Sequence, residues 1–244
     1  MSGYVKTETH KGITSIEFFH PQSNSLPAKI LRDLSVAIQH AGHDPATLVI
    51  ILRSAGEKAF CAGASFDELL TIETLEAGQK FFSGFANVIN AMRECPKIIV
   101  GRIHGKAVGG GVGLASACDY AMATQNSAIK LSEIAIGIGP FVIEPAVSRK
   151  IGKTALSEMT LTPNEWQSAG WAKEKGLYAN VFETREQLDE AVIAFAQKMA
   201  TYNPDALSEL KKVLWEGTEN WSTLLYERAA VSGKLVLSDL RRTP

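Results

Sequence analysis

The stretch that decides the fold reads Ile103-His104-Gly105-Lys106-Ala107-Val108-Gly109-Gly110-Gly111-Val112-Gly113-Leu114-Ala115-Ser116-Ala117-Cys118-Asp119-Tyr120. Within a few residues it passes from a strand pattern to a helix pattern, through three consecutive glycines. Upstream, Lys97 to Ile103 is rich in β-branched apolar residues and follows Pro96, which predicts a buried strand. Downstream, Val112, Leu114, Ala115 and Cys118 predict a short helix packed closely on all sides. Glycine at the joint permits positive φ and leaves backbone amides unshielded by a Cβ. A ligand oxygen can then approach N–H groups at a helix N-terminus, where the dipole favours negative charge. Two readings fit such a joint: an anion or oxyanion site, or simply close packing of two elements.

Working outward, 244 residues with 45% hydrophobic and 21% charged side chains suffice for one large globular domain, or one domain with a smaller appendage. A net charge of −1 without a dense Lys/Arg block speaks against nucleic acid as a partner. Cys61, Cys95 and Cys118 form no CxxC pair and read as buried thiols, which suits a reducing, cytoplasmic setting. No apolar run approaches the roughly 20 residues that cross a bilayer, Met1 to Lys6 lacks the core of a signal peptide, and Arg241-Arg242-Thr243-Pro244 carries no address or lipidation motif. No membrane partner is expected.

Toward the N-terminus, Tyr4 to Thr9 and Ile13 to Phe19 predict two strands joined at His10-Lys11-Gly12. Pro21 to Pro27 breaks the pattern, and Ile30, Leu31, Leu34, Ile38 and Ala41 mark one face of a helix ending near His43. Thr47 to Leu52 is a strand buried on both faces. A small-residue loop follows, with Ala62-Gly63-Ala64, and then Ser65-Phe66-Asp67-Glu68 in capping-box spacing. A helix over about Leu75 to Arg93 leads to the glycine stretch, so strands and helices alternate around a parallel sheet. After it come short strands to Pro140 and a helix from Phe141 to Ile151. From Pro163 helical patterns dominate, over Asn164 to Lys175, Arg185 to Thr201, Pro204 to Trp215 and Ser222 to Leu240, with Tyr178 to Phe182 strand-like. This divides the chain into an α/β core at 1–162 and a helical region at 163–244.

Ala62-Gly63-Ala64 and Gly109-Gly110-Gly111 share one design, unshielded amides between a buried strand and a helix start. Two such amides, if they converge, stabilise a carbonyl oxygen as it gains negative charge. Gly111-Val112-Gly113 with Glu133 about 20 residues on also fits part of a dinucleotide-binding fingerprint, but Ser116 stands at its third glycine. No Gly-Lys-Ser/Thr follows, so a phosphate P-loop is excluded.

Phe60-Cys61-Ala62-Gly63-Ala64-Ser65-Phe66-Asp67-Glu68-Leu69, His104 to Leu114, and Asp119-Tyr120-Ala121-Met122-Ala123 resemble the signature blocks of the crotonase (enoyl-CoA hydratase/isomerase) superfamily. The resemblance extends to Asn24-Ser25-Leu26 and to Ala169 through Leu177. It implies a spiral of ββα turns, a C-terminal helical region that packs in trimers or dimers of trimers, and an acyl-CoA substrate. Its thioester carbonyl would be held by the Ala64 and Gly110 amides. It implies no metal or redox cofactor, since coenzyme A arrives with the substrate. Asn24, Ser25, Leu26, Lys58, Ala62, Gly63 and Gly109 would line the substrate and CoA site.

In hydratases of this family two glutamates flank the reacting bond. The first aligns with Gly113 and is missing; the second aligns with Glu133. A single carboxylate can still remove a proton α to the thioester and return it elsewhere, as the single-glutamate isomerases do, whereas hydration also needs an oriented water. Glu144 is the candidate second carboxylate, with a charge at a helix N-terminus as its alternative reading. The resemblance leaves other reactions of the same site open, namely methylglutaconyl-CoA-like hydration, thioester hydrolysis and decarboxylation, besides a non-catalytic, RNA-associated homologue. Among the remaining polar residues, His104 reads as a turn residue, Asp119 as a partner for backbone amides and Ser116 as no nucleophile. Trp166, Trp171, Trp215 and Trp221 read as packing residues.

Overall fold

The computed structural model describes residues 3–239. The terminal expectations for Met1-Ser2 and for Arg241 to Pro244 lie outside the described residues. Strands β1 (Tyr4–His10) and β2 (Ile13–Phe19) form an antiparallel hairpin, turning through Lys11 and Gly12 at φ 48° and 80°. Helix α1 (Ala28–His43) then carries the chain to β3 (Val49–Ser54), parallel to β2.

Three ββα turns follow. The first is β3, β4 (Ala59–Cys61) and the helices α2 (Phe66–Leu69) and α3 (Leu75–Glu94). The second is β5 (Ile98–Ile103), β6 (Lys106–Val108) and α4 (Gly110–Ala117). The third is β7 (Tyr120–Thr124), β8 (Ile129–Lys130), a 3-10 turn at Glu133–Ile136 and α5 (Glu144–Leu161). With β9 (Asn180–Phe182), the first strands make a six-stranded sheet in the order β1-β2-β3-β5-β7-β9, and the second strands a small sheet in the order β4-β6-β8. Each turn therefore advances the chain by one strand, and the ends of β4, β6 and β8 come to lie side by side. The spiral of ββα turns is the observed architecture.

Alternation along the strands explains their continuous apolar runs. Ile50, Leu52 and Ile99 face the large core under α1 and α3, whereas Val49, Ile51, Ile98 and Val100 face a second core. That second core is closed by Leu188, Val192 and Ala196 of α7 (Arg185–Met199). Arg102 of β5 ties α7 down through two hydrogen bonds to Asp189, at 2.5 and 2.8 Å. Asp119 performs the same task for α8 (Pro204–Leu214). Its carboxylate accepts from the Ile99 amide and the Trp215 indole, each at 2.7 Å, and pairs with Lys211 at 3.0 Å with both side chains 3% exposed. The C-terminal segment thus docks on the sheet of its own chain and adds β9 to its edge.

Helix α9 (Trp221–Asp239) lies against α3. Their closest approach is Gly78 to Gly233, where a Cβ on Gly78 would stand 2.7 Å from the Gly233 Cα. Two boundaries differ from the sequence expectation. The helix expected at Phe141 starts at Glu144 and runs on past a non-helical Gly152 to Leu161. That expected over Asn164 to Lys175 shrinks to α6 (Ala169–Glu174), because Gln167 bridges to Ile129 and Ser168 caps the helix by accepting the Trp171 amide at 3.0 Å. Trp166 falls in the non-helical part and is 40% exposed, its ring covered by Lys106 and Lys130 at 4.7 and 4.8 Å. The other three tryptophans pack in the core as expected.

Candidate active site

The side-by-side ends of β4 and β6 bring the two small-residue loops together. Gly63, at φ 90°, is so close to the second loop that a Cβ there would stand 2.9 Å from the Val108 carbonyl oxygen and 3.5 Å from the Gly110 nitrogen. The first loop is fixed from behind by Leu26, whose amide donates to the Gly63 carbonyl at 2.8 Å and whose carbonyl accepts from the Ser65 amide at 3.3 Å. Such bracketing turns the Ala64 N–H away from Leu26. Gly109 is anchored by its amide to the Lys130 carbonyl at 2.9 Å, and Gly110 opens α4. Among the described residues, neither the Ala64 nor the Gly110 amide has a hydrogen-bond acceptor. Both residues line a cavity of about 190 Å³, together with Ala62, Gly63 and Gly109.

Glu133 supplies the acid of this cavity. The 3-10 turn after β8 carries it over the glycine joint, where its Oε1 lies 2.6 Å from the point a Cβ on Gly109 would occupy. Gly109 adopts φ 51° and ψ −116°, a conformation that a side chain resists. Any residue other than glycine would therefore strain the joint and displace the carboxylate. Oε2 of Glu133 is buried without a hydrogen-bond partner among the described residues. The cavity that Glu133 lines is walled on its apolar side by Leu69, Phe82, Phe85, Val142 and Ile143. Burial in that apolar shell pushes its pKa up to about 7, against a smaller opposing effect of its own and the Ser132 backbone amides.

Gly113 is not merely short of a carboxylate. A Cβ there would meet Ile143 at 2.5 Å from Cγ2 and 2.7 Å from Cβ, so the branch of an isoleucine stands where the first glutamate's stem would begin. The expectation that Glu144 supplies a second cavity acid is corrected. Glu144 is the first residue of α5 and is hydrogen-bonded by Lys153 and Arg228. Burial alone would raise its pKa, but these two cations outweigh that and hold it below the ordinary carboxylate range. Its neighbour Ile143, not Glu144, lines the cavity.

Four residues expected to line the substrate and CoA site are not in the wall of this cavity. Asn24, at φ 57°, spends its side chain on the turn, donating to the Ala55 and Ala59 carbonyls at 2.7 and 2.9 Å and accepting the His20 amide at 2.8 Å. The Ser25 hydroxyl meets the His20 ring at 3.1 Å, and the Leu26 side chain is core. Lys58 is exposed outside the cavity wall. Asn24, Ser25 and Leu26 hold the loop from behind, and none of the four lines the cavity. The capping box is likewise half formed. Ser65 accepts the Glu68 amide at 3.4 Å, while the Glu68 carboxylate accepts the Ala28 amide at 2.8 Å and so serves the start of α1.

Asp119 satisfies a backbone amide as expected, Ser116 donates to the Val112 carbonyl at 2.8 Å, and the three thiols are free and buried. His104 does sit between β5 and β6, but both its ring nitrogens are buried without partners among the described residues. Burial first, then nearby Arg102, Arg185 and Arg53, lowers its pKa to about 4. Sequence reasoning missed Phe85, Ile143 and Ser232 as cavity residues. Phe85 carries the helical apolar spacing of α3, which marks burial but not a cavity, and Ser232 carried no signal beyond the glycine that follows it.

Compared with known proteins, residues 8–233 match the family described as enoyl-CoA hydratase/isomerase. Similar sequences include a peroxisomal Delta(3,5)-Delta(2,4)-dienoyl-CoA isomerase of Arabidopsis thaliana, 26% identical over 90% of this chain and 84% of the relative. A short-chain-enoyl-CoA hydratase of Clostridium acetobutylicum is 29% identical over 80% of this chain and 74% of the relative. Among solved structures, an enoyl-CoA hydratase from Mycobacterium smegmatis superimposes with a TM-score of 0.83 at 27% identity, covering 98% of this chain and 91% of its own.

Proposed function

The chain belongs to the enoyl-CoA hydratase/isomerase family, and from that premise we propose that it shifts the double bond of an enoyl-CoA thioester, with Glu133 as its one acid/base group. The observation that carries this reading is the Glu133 carboxylate in the cavity, its Oε2 buried without a partner among the described residues, beside two acceptor-free amides, at a site where Ile143 closes the space a side chain at Gly113 would need.

In a 3-enoyl thioester the proton on C2 is acidified when the carbonyl oxygen can take up negative charge. The Ala64 and Gly110 amides would donate to that oxygen, and a donor of this kind is worth roughly 3 kcal/mol in the transition state. Glu133 takes the C2 proton, the C2–H electron pair enters the dienolate, and the negative charge rests on the thioester oxygen. The same carboxyl then returns its proton to C4 as the carbonyl re-forms, leaving a 2-enoyl thioester. Every atom is accounted for by substrate and Glu133, so the step as written uses no metal or redox group. A carboxyl with pKa about 7 suits both halves, since it is basic enough to accept the proton and acidic enough to return it. Water addition needs a second group to hold the water, and Glu144, tied up by Lys153 and Arg228, offers none.

The test is to incubate the protein with 3-enoyl-CoA and 2-enoyl-CoA esters of several lengths, following double-bond migration and water addition separately. Migration by the wild type, its loss in Glu133→Gln and its retention in Glu144→Gln are expected. Full activity of Glu133→Gln overturns the mechanism, and loss of hydration confined to Glu144→Gln restores that residue as a second acid.

A further inference from the structure

The same cavity holds one more polar group that the proton transfer does not use. Ser232 of α9 is 1% exposed, lines the cavity wall, and its Oγ is buried without a hydrogen-bond partner among the described residues. Its placement follows from backbone packing. Gly78 of α3 and Gly233 of α9 touch with no side chain between them, since a Cβ on Gly233 would lie 2.6 Å from the Gln79 nitrogen. The crossing draws α9 down onto α3, and the neighbouring Ser232 meets the cavity that Phe82 and Phe85 of α3 also line.

A serine in the first or last turn of a helix has local work to do, and in mid-helix it normally bonds back to the carbonyl four residues earlier. Ser157 and Ser83 in this chain do so, at 2.9 and 2.7 Å, while Ser35 of α1 reaches across to the Asn87 carbonyl at 3.4 Å. Ser232 is mid-helix and buried, yet makes no such bond. When a ligand closes the cavity, a hydroxyl left without a partner weakens binding, and alanine would fill nearly the same volume without that penalty. An oxygen carried by the molecule that fills the cavity would give the hydroxyl a partner. Hydrocarbon would leave the hydroxyl stranded, and the pocket would then discriminate against its own substrate.

We infer that Ser232 is a specificity-determining residue that hydrogen-bonds an oxygen carried on the acyl group, so that the site favours hydroxy- or oxo-substituted acyl-CoA thioesters over plain alkyl ones. The inference rests on the thioester reading of the cavity and narrows its substrate class. A hydroxyl both donates and accepts, so it matches an alcohol or a carbonyl equally, whereas the apolar walls fit only the carbon chain. Sites built to bond a substrate oxygen reject analogues that lack it, because the protein group is then left unpaired.

The experiment measures the binding of butyryl-CoA, 3-hydroxybutyryl-CoA, 4-hydroxybutyryl-CoA and acetoacetyl-CoA to the full chain and to Ser232→Ala by titration calorimetry. The wild type is expected to bind at least one oxygenated ester more tightly than butyryl-CoA, by roughly 5- to 10-fold for one recovered hydrogen bond. In Ser232→Ala that preference is lost while butyryl-CoA binds as well or better. Ser232→Cys, of similar size but a weak hydrogen-bonding group, should behave like Ser232→Ala. A preference for the oxygenated esters that is equal in all three proteins, or absent from the wild type, overturns the inference and leaves the thioester reading standing. Failure of the wild type to bind any of the four esters overturns both.

Discussion

Glu133→Gln separates the chemistry of the site from its stability, because the two should move in opposite directions. The ordinary carboxyl value of 4.5 holds in the unfolded chain, and burial raises it to about 7 in the folded one. Between those values the folded state keeps a proton that the unfolded state has released. Stability therefore falls as pH rises from 4.5 through 7, and above that range the folded chain carries a buried, unpaired charge. At about 1.4 kcal/mol per pH unit, the rise corresponds to roughly 3 kcal/mol for this buried group. Glutamine has the same shape and no charge, so it escapes the penalty. For a chain of this length each kcal/mol moves the melting temperature by about 2–4 °C, which predicts a gain of about 6–12 °C for Glu133→Gln at pH 8.5.

Below pH 4.5 both proteins are neutral at this position, and the difference should vanish. His104 contributes with the opposite sign, since its lowered pKa removes stability as pH falls from 6.5 through 4, but it is common to both proteins and cancels in the comparison. The assay is thermal unfolding of wild type and variant from pH 4 to 9, beside the rate of double-bond migration in the same preparations. The rate should fall by about 10²- to 10⁴-fold, the usual weight of a positioned acid/base group. A variant less stable than wild type at pH 8.5 refutes the burial argument, and a variant as active as wild type refutes the role.

Gly113→Glu, which restores the first glutamate in sequence, should destabilise the chain by more than 2 kcal/mol and add no hydratase activity, because Ile143 occupies the space. Adding Ile143→Ala should recover part of that loss in urea unfolding, and a soluble, fully stable single variant would contradict the steric reading. Asp119→Asn leaves the Lys211 ammonium buried without its counter-charge, which predicts a loss of about 3 kcal/mol or more in the same assay. His104→Leu removes two stranded ring nitrogens and should flatten the decline in melting temperature below pH 6.5; an unchanged slope would show that other groups cause it. Gly109→Ala should cost activity at least tenfold with a smaller effect on substrate binding, because its Cβ would push on Oε1 of Glu133.

The sequence carried the strands of the parallel sheet and the two amide loops because each rests on a local signal. Leu48 to Leu52 and Ile98 to Val100 are apolar at every step, as expected when both faces of a strand are buried, and the glycines mark where backbone must lie close to something. What it did not carry depends on contacts between distant segments. Asn24 stands in a block that resembles the family's, yet its amide is consumed by Ala55 and Ala59 some thirty residues away. Glu144 reads as an acid among apolar neighbours until Arg228, 84 positions on, is seen to cover it. Ser232 is invisible for the same reason, since only the Gly78–Gly233 crossing brings it to the cavity.

The closure of Gly113 and the burial of Glu133 have a common cause, and it bears on which reaction the site suits. Ile143 both fills the space that a second carboxylate would need and helps form the apolar wall that raises the Glu133 pKa. A second ionised group nearby would have drawn water into the cavity and would have made the two carboxylates titrate as a pair. With Gly113 at that position and the Ile143 branch in the space above it, the surroundings are apolar; this would strengthen any hydrogen bond from the Ala64 and Gly110 amides to a developing oxyanion and leave a single carboxyl whose proton is held near neutrality. Those conditions favour a proton that is taken from one carbon and given back to another over one that must be exchanged with an oriented water. On the proposed reading, the same packing of Ile143 over Gly113 that leaves no room for a water-holding carboxylate suits the remaining acid to a transfer that needs none.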